Sequence, residues 1–171
     1  MLWLGRADGA RKLSGVREDM SRIERIRVED LAPGVWRTRV MIRFGQCDPA
    51  GIVYTPNYFD IFNSVIEDWY PAALGLDYHA LIRDRRLGVG YAHASADFLI
   101  PGFMGEHLDV AVVVANIGRA SFGLTLHAMK GEEEAVRGRF VVVTTSLDAH
   151  KAVPIPADLK AALEAYQERC R

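Results

Sequence analysis

Asn57-Tyr58-Phe59-Asp60-Ile61-Phe62-Asn63-Ser64-Val65-Ile66-Glu67-Asp68-Trp69-Tyr70 is the stretch on which the fold turns. Tyr58, Phe59, Ile61, Phe62, Val65, Ile66 and Trp69 recur at helical spacing and cover most of the girth. The spacing predicts a buried helix over 57–70. Pro71 and Gly75 follow it and end it.

Upstream, Trp36-Arg37-Thr38-Arg39-Val40-Met41-Ile42-Arg43-Phe44 partly alternates and is rich in strand formers, which predicts a first strand closed by a Gly/Asp/Pro cluster. Downstream, a short helix is expected over 78–85, then four strands at 88–98, 108–117, 121–130 and 134–147. Pro101-Gly102, Asn116-Ile117-Gly118 and Lys130-Gly131-Glu132 are credible turns between them. Such hairpin spacing favours an antiparallel sheet over alternating βα units. After Pro154 and Pro156, a last helix over 157–169 carries Leu159, Leu163 and Tyr166 on one side. The economical arrangement is an α+β fold in which a curved antiparallel sheet wraps one long central helix. Its open edge strands predict pairing with a second copy.

The 171 residues, 50% hydrophobic and 25% charged, are those of an ordinary soluble domain. We expect the domain to span 34–171. Residues 1–33 mix charge with scattered apolar groups and read as a loosely attached extension, within which Met20 is an alternative start. With 21 basic and 22 acidic side chains the net charge is -1, so no global field would hold nucleic acid or an acidic membrane. Met1-Leu2-Trp3-Leu4-Gly5-Arg6 breaks into charge too early for a signal peptide, and no run of about 18 apolar residues follows. Cys47 and Cys170 form neither a disulfide framework nor a zinc spacing. A cytoplasmic protein without a metal is expected.

The chemistry-bearing segment is Gly45-Gln46-Cys47-Asp48-Pro49-Ala50-Gly51, between the first strand and the buried helix. One reading makes Asp48-Pro49-Ala50-Gly51 a plain turn. The other uses its position: unpaired N–H groups and the dipole at a helix start favour negative charge, so a carbonyl placed there is polarised. Cleaving a thioester requires a carboxylate to attack or to activate water, and a donor for the developing oxyanion. Asp48 supplies the first, and backbone N–H groups near Tyr54 and Thr55 supply the second. Pro56 has none to give.

The run Phe44-Gly45-Gln46-Cys47-Asp48-Pro49-Ala50-Gly51-Ile52-Val53-Tyr54-Thr55-Pro56-Asn57-Tyr58 resembles the signature of the 4-hydroxybenzoyl-CoA thioesterase family of hotdog-fold proteins. The likeness continues through Pro101-Gly102-Phe103-Met104-Gly105-Glu106-His107-Leu108-Asp109-Val110, Gly118-Arg119-Ala120-Ser121-Phe122 and Val153-Pro154-Ile155-Pro156-Ala157-Asp158-Leu159. It implies a hotdog fold assembled into dimers or tetramers, with Asp48 as nucleophile or general base and Thr55 N–H as oxyanion donor. It also implies hydrolysis of a benzoyl- or 4-hydroxybenzoyl-type CoA thioester without a cofactor, CoA being part of the substrate. The alternatives are a broad short-chain acyl-CoA or acyl-carrier-protein thioesterase, and a non-catalytic CoA-binding protein.

Gly51, Tyr58, Arg119, Ser121 and Arg137 are the expected substrate contacts, with Arg139 a further cation for CoA phosphates. Where Ala120 stands the family often has another basic residue. Cys47 reads as a packed thiol, since neighbours in an extended segment face opposite sides. Glu67 is a second carboxylate on the long helix, where other hotdog thioesterases carry a catalytic acid. His93 and His107 have no partners in sequence.

Overall fold

The computed structural model describes residues 23–171. Tyr58, Ile61, Phe62, Val65, Ile66 and Trp69 lose nearly all contact with solvent in helix α1, Asn57–Trp69. Asp60, Asn63, Ser64 and Asp68 form an exposed strip on the opposite side. The helix is therefore buried along one broad face rather than around most of its girth.

That face rests on a sheet of β1 (Arg37–Met41), β2 (Leu87–Phe98), β3 (His107–Ile117), β4 (Ser121–Lys130) and β5 (Glu133–Ser146). Their order is β1-β3-β4-β5-β2 and every pairing is antiparallel. Inward residues Val110, Val112, Leu124, Leu126, Phe140 and Val142 share one apolar cluster with α1. Gly138 of β5 makes room for the helix. A Cβ there would lie 2.8 Å from Phe62 Cε2, so only glycine lets the Phe62 ring settle on the strand. The rest of the chain contributes α2 (Tyr78–Arg83), the two-residue strand β6 (Lys151–Ala152) on β5, and α3 (Ala157–Arg169).

Three differences from the sequence reading have local causes. The first strand stops at Met41, and Phe44–Gln46 coil into a 3-10 turn that the alternation of 36–44 hid. Pro71 does not stop the long helix. Lacking an N–H, it is absorbed in a wider π turn over Tyr70–Leu74, which Gly75 closes at φ 68°. The third concerns the expected extension 1–33, of which residues 1–22 lie outside the described residues. Residues 23–33 are not loose: Val28 N–H donates to Glu132 O (3.2 Å), Glu134 N–H donates to Ile26 O (3.2 Å), and Leu31 and Val35 bury Ala111 and Met129.

Beneath this strap lies a fully buried carboxylate, Glu134. His127 Nδ1 stands 2.6 Å from its Oε1, Arg137 binds both its oxygens, and Ile26 N–H donates to Oε2 at 3.2 Å. Arg137 also donates to Glu24 O (2.9 Å), so one ion cluster pins strap to sheet. Burial alone would raise the Glu134 pKa, but the contacts from His127, Arg137 and Ile26 outweigh it and hold the group at about 2.

A folded-state pKa below the unfolded one means stability that is complete above the unfolded value, about 4.3, and lost as pH falls through the folded value. Urea unfolding followed by fluorescence should show this acid loss between about pH 5 and 2. Glu134→Gln should flatten it and cost about 3 kcal/mol at neutral pH, because it leaves Arg137 without its counter-charge. An unchanged acid profile in the variant would show that the cluster holds nothing.

Candidate active site

Asp48 follows the 3-10 turn Phe44–Gln46, in a loop closed on itself. Asp48 N–H donates to Ile52 O (2.9 Å), Gly51 N–H donates to Asp48 O (2.9 Å), and Gly51 takes φ 77°, which a side chain would resist. The Asp48 side chain accepts from Ala50 N–H at Oδ1 (2.8 Å). Among the described residues its Oδ2 has no partner, so one oxygen is anchored and the other is available. The preceding Cys47 is half-buried against the core with its thiol 3.6 Å from Arg43 O, as expected of a packing residue.

The amides entering α1 are almost all committed. Val53 N–H donates to Gly102 O, Tyr54 N–H to Gln46 O (2.9 Å), Asn57 N–H to Tyr54 O, Tyr58 N–H to Thr55 O and Phe59 N–H to Pro56 O. Pro56 has no N–H. Thr55 is the exception: among the described residues its N–H has no acceptor. Tyr54, expected to share the donor role, is thus corrected by geometry, since its N–H belongs to the Gln46 carbonyl. Asn57 Nδ2 donates to the same carbonyl at 2.9 Å, which fixes the entry of the helix.

A second loop braces the first. Val53 N–H reaches Gly102 O (3.0 Å), Met104 N–H reaches Gly51 O (3.0 Å), and Ile42 exchanges backbone bonds with Glu106 and Gly105 at 2.8 and 2.9 Å. Glu106 in turn accepts from Phe103 N–H (2.8 Å), and Lys130 lies 2.7 Å from its carboxylate. These contacts hold the Glu106 carboxyl below its usual range, the Lys130 contact first. Lys130 Nζ also donates to Pro101 O (3.1 Å) and stands 4.8 Å over the Phe103 ring. Sequence reasoning found the Pro101-Gly102 turn but not this clamp, because it unites residues that only the sheet register makes neighbours.

Between the two loops and α1 opens a cavity of about 200 Å³, with Ile52, Val53, Thr55 and Tyr58 on one side and Phe98 to Gly102 on the other. Thr55 is exposed at its mouth. Tyr58 is only 4% exposed; its oxygen accepts from Gly102 N–H (3.2 Å), and its ring lies 5.5 Å from that of Phe98. Burial raises the Tyr58 pKa further above its ordinary value, so the phenol stays protonated.

Thus Asp48, Gly51, Thr55 and Tyr58 belong to one region of the chain. Arg119 and Ser121 do not join them. Ser121 pairs with Val143 and the cavity wall Phe98 pairs with Val136, so the two groups stand roughly 23 Å apart along β5. Arg119 is exposed with a free side chain among the described residues. Arg137, expected to contact substrate, is corrected: its guanidinium is spent on Glu134 and Glu24 beneath the strap. Arg139 pairs with Asp97. Glu67 holds His79 Nε2 at 3.0 Å on the surface, while His93 and His107 are exposed. Among the described residues no His, Cys, Asp or Glu group is placed to hold a metal ion, and no helix is long and apolar enough to cross a membrane.

Comparison with known proteins gives the same outline. Residues 42–163 match the thioesterase-like superfamily. The chain is 24% identical to a 1,4-dihydroxy-2-naphthoyl-CoA hydrolase of Synechococcus elongatus over 121 residues, 70% of this chain and 88% of the relative. It is 29% identical to the protein of that name from Thermosynechococcus vestitus over 129 residues, 74% of this chain and 87% of the other. Among solved structures, a gentisyl-coenzyme A thioesterase superposes with a TM-score of 0.67 at 25% identity, covering 75% of this chain and 99% of its own. The matched span opens on buried Ile42, just before the Asp48 loop, and closes on buried Leu163 of α3, so it takes in sheet, central helix and both loops. The chain belongs to the thioesterase-like superfamily and has its hotdog fold.

Proposed function

We propose that this thioester hydrolase cleaves an aromatic acyl-CoA, of benzoyl or 4-hydroxybenzoyl type, to the free acid and CoA, with Asp48 as its carboxylate and Thr55 N–H as the donor to the carbonyl oxygen. The observation that carries the reading is the free amide: of the N–H groups from Val53 to Phe59, Thr55 alone lacks an acceptor among the described residues. It lies at the start of α1, where the dipole adds to the attraction for an oxyanion. The relatives named as naphthoyl-CoA and gentisyl-coenzyme A enzymes favour an aromatic acyl group.

Asp48 acts in one of two balanced ways. As nucleophile, its free oxygen adds to the carbonyl carbon, the carbon–sulfur bond breaks, CoA leaves as thiolate, and water then opens the acyl anhydride. As general base, it takes a proton from a water that adds directly, with the same leaving group. Label in the Asp48 carboxylate after a single turnover in oxygen-18 water, from opening of the anhydride at the aspartyl carbon, would establish the first route, since direct addition of water labels only the released acid. In either route no cofactor takes part.

The reading places Arg119 on the CoA phosphates of a neighbouring chain. Among the described residues β2 is an open edge, and its residues 90–94 are exposed. Antiparallel pairing of two β2 edges sets the Arg119 end of one sheet beside the cavity end of the other, about three strand spacings or 14 Å across. A homodimer is therefore the working unit we propose, with one cation from each chain serving the other's cavity.

A panel of aromatic and aliphatic acyl-CoAs, with released thiol as readout, tests the activity. Aliphatic preference would replace the aromatic assignment with the short-chain one, and binding without turnover would replace it with the non-catalytic one. Asp48→Asn keeps volume and removes charge, so kcat should fall about a thousand-fold or more with fold and binding retained. Surviving turnover would remove Asp48 from the chemistry. Arg119→Ala should raise KM about ten-fold with kcat nearly constant; an unchanged KM would leave Arg119 a surface residue.

A further inference from the structure

The cavity wall from Phe98 to Gly102 begins where β2 ends, so the ladder does not hold it. Phe98 makes the last pair of β2 with β5, opposite Val136. The next two amides, Leu99 N–H and Ile100 N–H, both donate to the Ala135 carbonyl, at 2.8 and 3.0 Å. Ala135 is a bulge: Val136 pairs with Ala128 and Glu134 with Met129, which leaves the residue between them without a partner on β4. The following hold on the wall is Lys130, whose Nζ donates to Pro101 O at 3.1 Å. Ala135 and Lys130 both lie at the end of the hairpin that joins β4 to β5. At its far end the wall is tied across the cavity, Gly102 meeting Val53 N–H and the Tyr58 oxygen.

The same hairpin end is held by the strap. Where β2 stops, the strap takes its place beside β5: Arg27 bridges Glu133 in antiparallel sense, Val28 N–H donates to Glu132 O, and Glu134 N–H donates to Ile26 O. The buried Glu134 carboxylate accepts from Ile26 N–H and binds Arg137, whose guanidinium also donates to Glu24 O. Beyond this, Leu31 and Val35 cover Ala111 and Met129, and Met129 is the residue opposite Glu134. Ala111 faces the strap while its neighbours Val110 and Val112 face α1, so the strap covers the side of the sheet turned away from the helix. Glu134, which the strap grips, and Ala135, on which the wall hangs, are consecutive and both fully buried. In a close-packed interior a shift of one is passed to the other.

We infer that the strap, docked on Glu134, is the outer brace of the cavity: it fixes the bulge at Ala135 and through it the place of the Phe98 to Gly102 wall. Glu134 and Leu31 are then positioning residues for thioester hydrolysis, although neither touches substrate. This deepens the functional reading above and rests on it. The wall faces the acyl group, whereas Asp48 and the Thr55 amide belong to the loop and helix start across the cavity. A wall that drifts loses contacts made equally in the ground and transition states. Such a loss raises KM and leaves kcat nearly as it was.

The test uses the full chain with Leu31→Asp, which puts a charge where the strap meets the sheet, and with Glu134→Gln, which removes the grip itself. Hydrogen exchange is followed at the Leu99 and Ile100 amides, and kcat and KM are measured for benzoyl-CoA with free CoA as product inhibitor. In both variants exchange at Leu99 and Ile100 should quicken about ten-fold relative to the Leu124 and Leu126 amides in the middle of the sheet. KM should rise about ten-fold, with kcat changed less than about two-fold and inhibition by free CoA unaltered. Leu99 and Ile100 amides that stay protected while those of Ile26 and Val28 open would make the strap a mere cover and overturn the inference. Equal quickening throughout the sheet, or an unchanged KM beside a loosened wall, would overturn it too. Leu31→Asp leaves the buried ion cluster intact and decides the matter even if Glu134→Gln does not fold. A wild type inactive on every ester of the acyl-CoA panel overturns the functional reading, and exchange then still decides whether the strap holds the wall.

Discussion

The ring of Phe62 resting on Gly138 is the contact from which the remaining geometry follows. It lets α1 sink onto the concave face of the sheet, where burial of six apolar side chains removes it from solvent. At roughly 1.5 to 3 kcal/mol for each large side chain, that burial far exceeds any single polar contact at the site. The helix position then dictates where its first turn comes out, and the Thr55 amide comes out at the cavity mouth. The Asp48 loop has little freedom of its own: its backbone bonds to Gly102 and Met104 are made only if the helix and sheet are already in register.

The polar features divide into two kinds. One kind is spent on structure, as in the buried Glu134 cluster, where His127 and Arg137 offset the cost of placing a carboxylate in the interior. The other is left uncommitted among the described residues, at the cavity or in the loop next to it: one oxygen of Asp48, one amide at Thr55, one hydroxyl hydrogen at Tyr58. Arg137 shows why residue type alone does not tell them apart. It looks like a phosphate ligand in the sequence, and a carboxylate three residues earlier claims it.

Much of the fold was legible because its signals are local. The strand over 121–130 and the helix over 157–169 match the structure at both ends, since turn residues bound the one and paired prolines precede the other. What failed to show was of two sorts. Pro71 reads as a stop, yet a π turn accommodates it because Tyr70 is already held in the core. The docking of residues 23–33 depends on Glu134, more than a hundred positions away, and no periodicity carries such a pairing. At the site, the motif located the loop but not the bookkeeping of its amides. Whether Tyr54 or Thr55 is free depends on where the Gln46 carbonyl points, which is a property of the folded loop.

The bonding between the loops at 47–53 and 101–106 also ties the site to the folding of the whole chain. Some fifty residues separate the partners, and α1, α2 and β2 all lie between them. Contacts of such separation cost chain entropy that is recovered only after the intervening elements have docked. The pairing of β1 with β3, from Arg37 with Ala111 to Met41 with His107, spans more residues still, so loops and sheet close as one unit. The cavity and the loops that border it therefore exist only in the fully folded chain, and a substitution that loosens the sheet loosens the site with it.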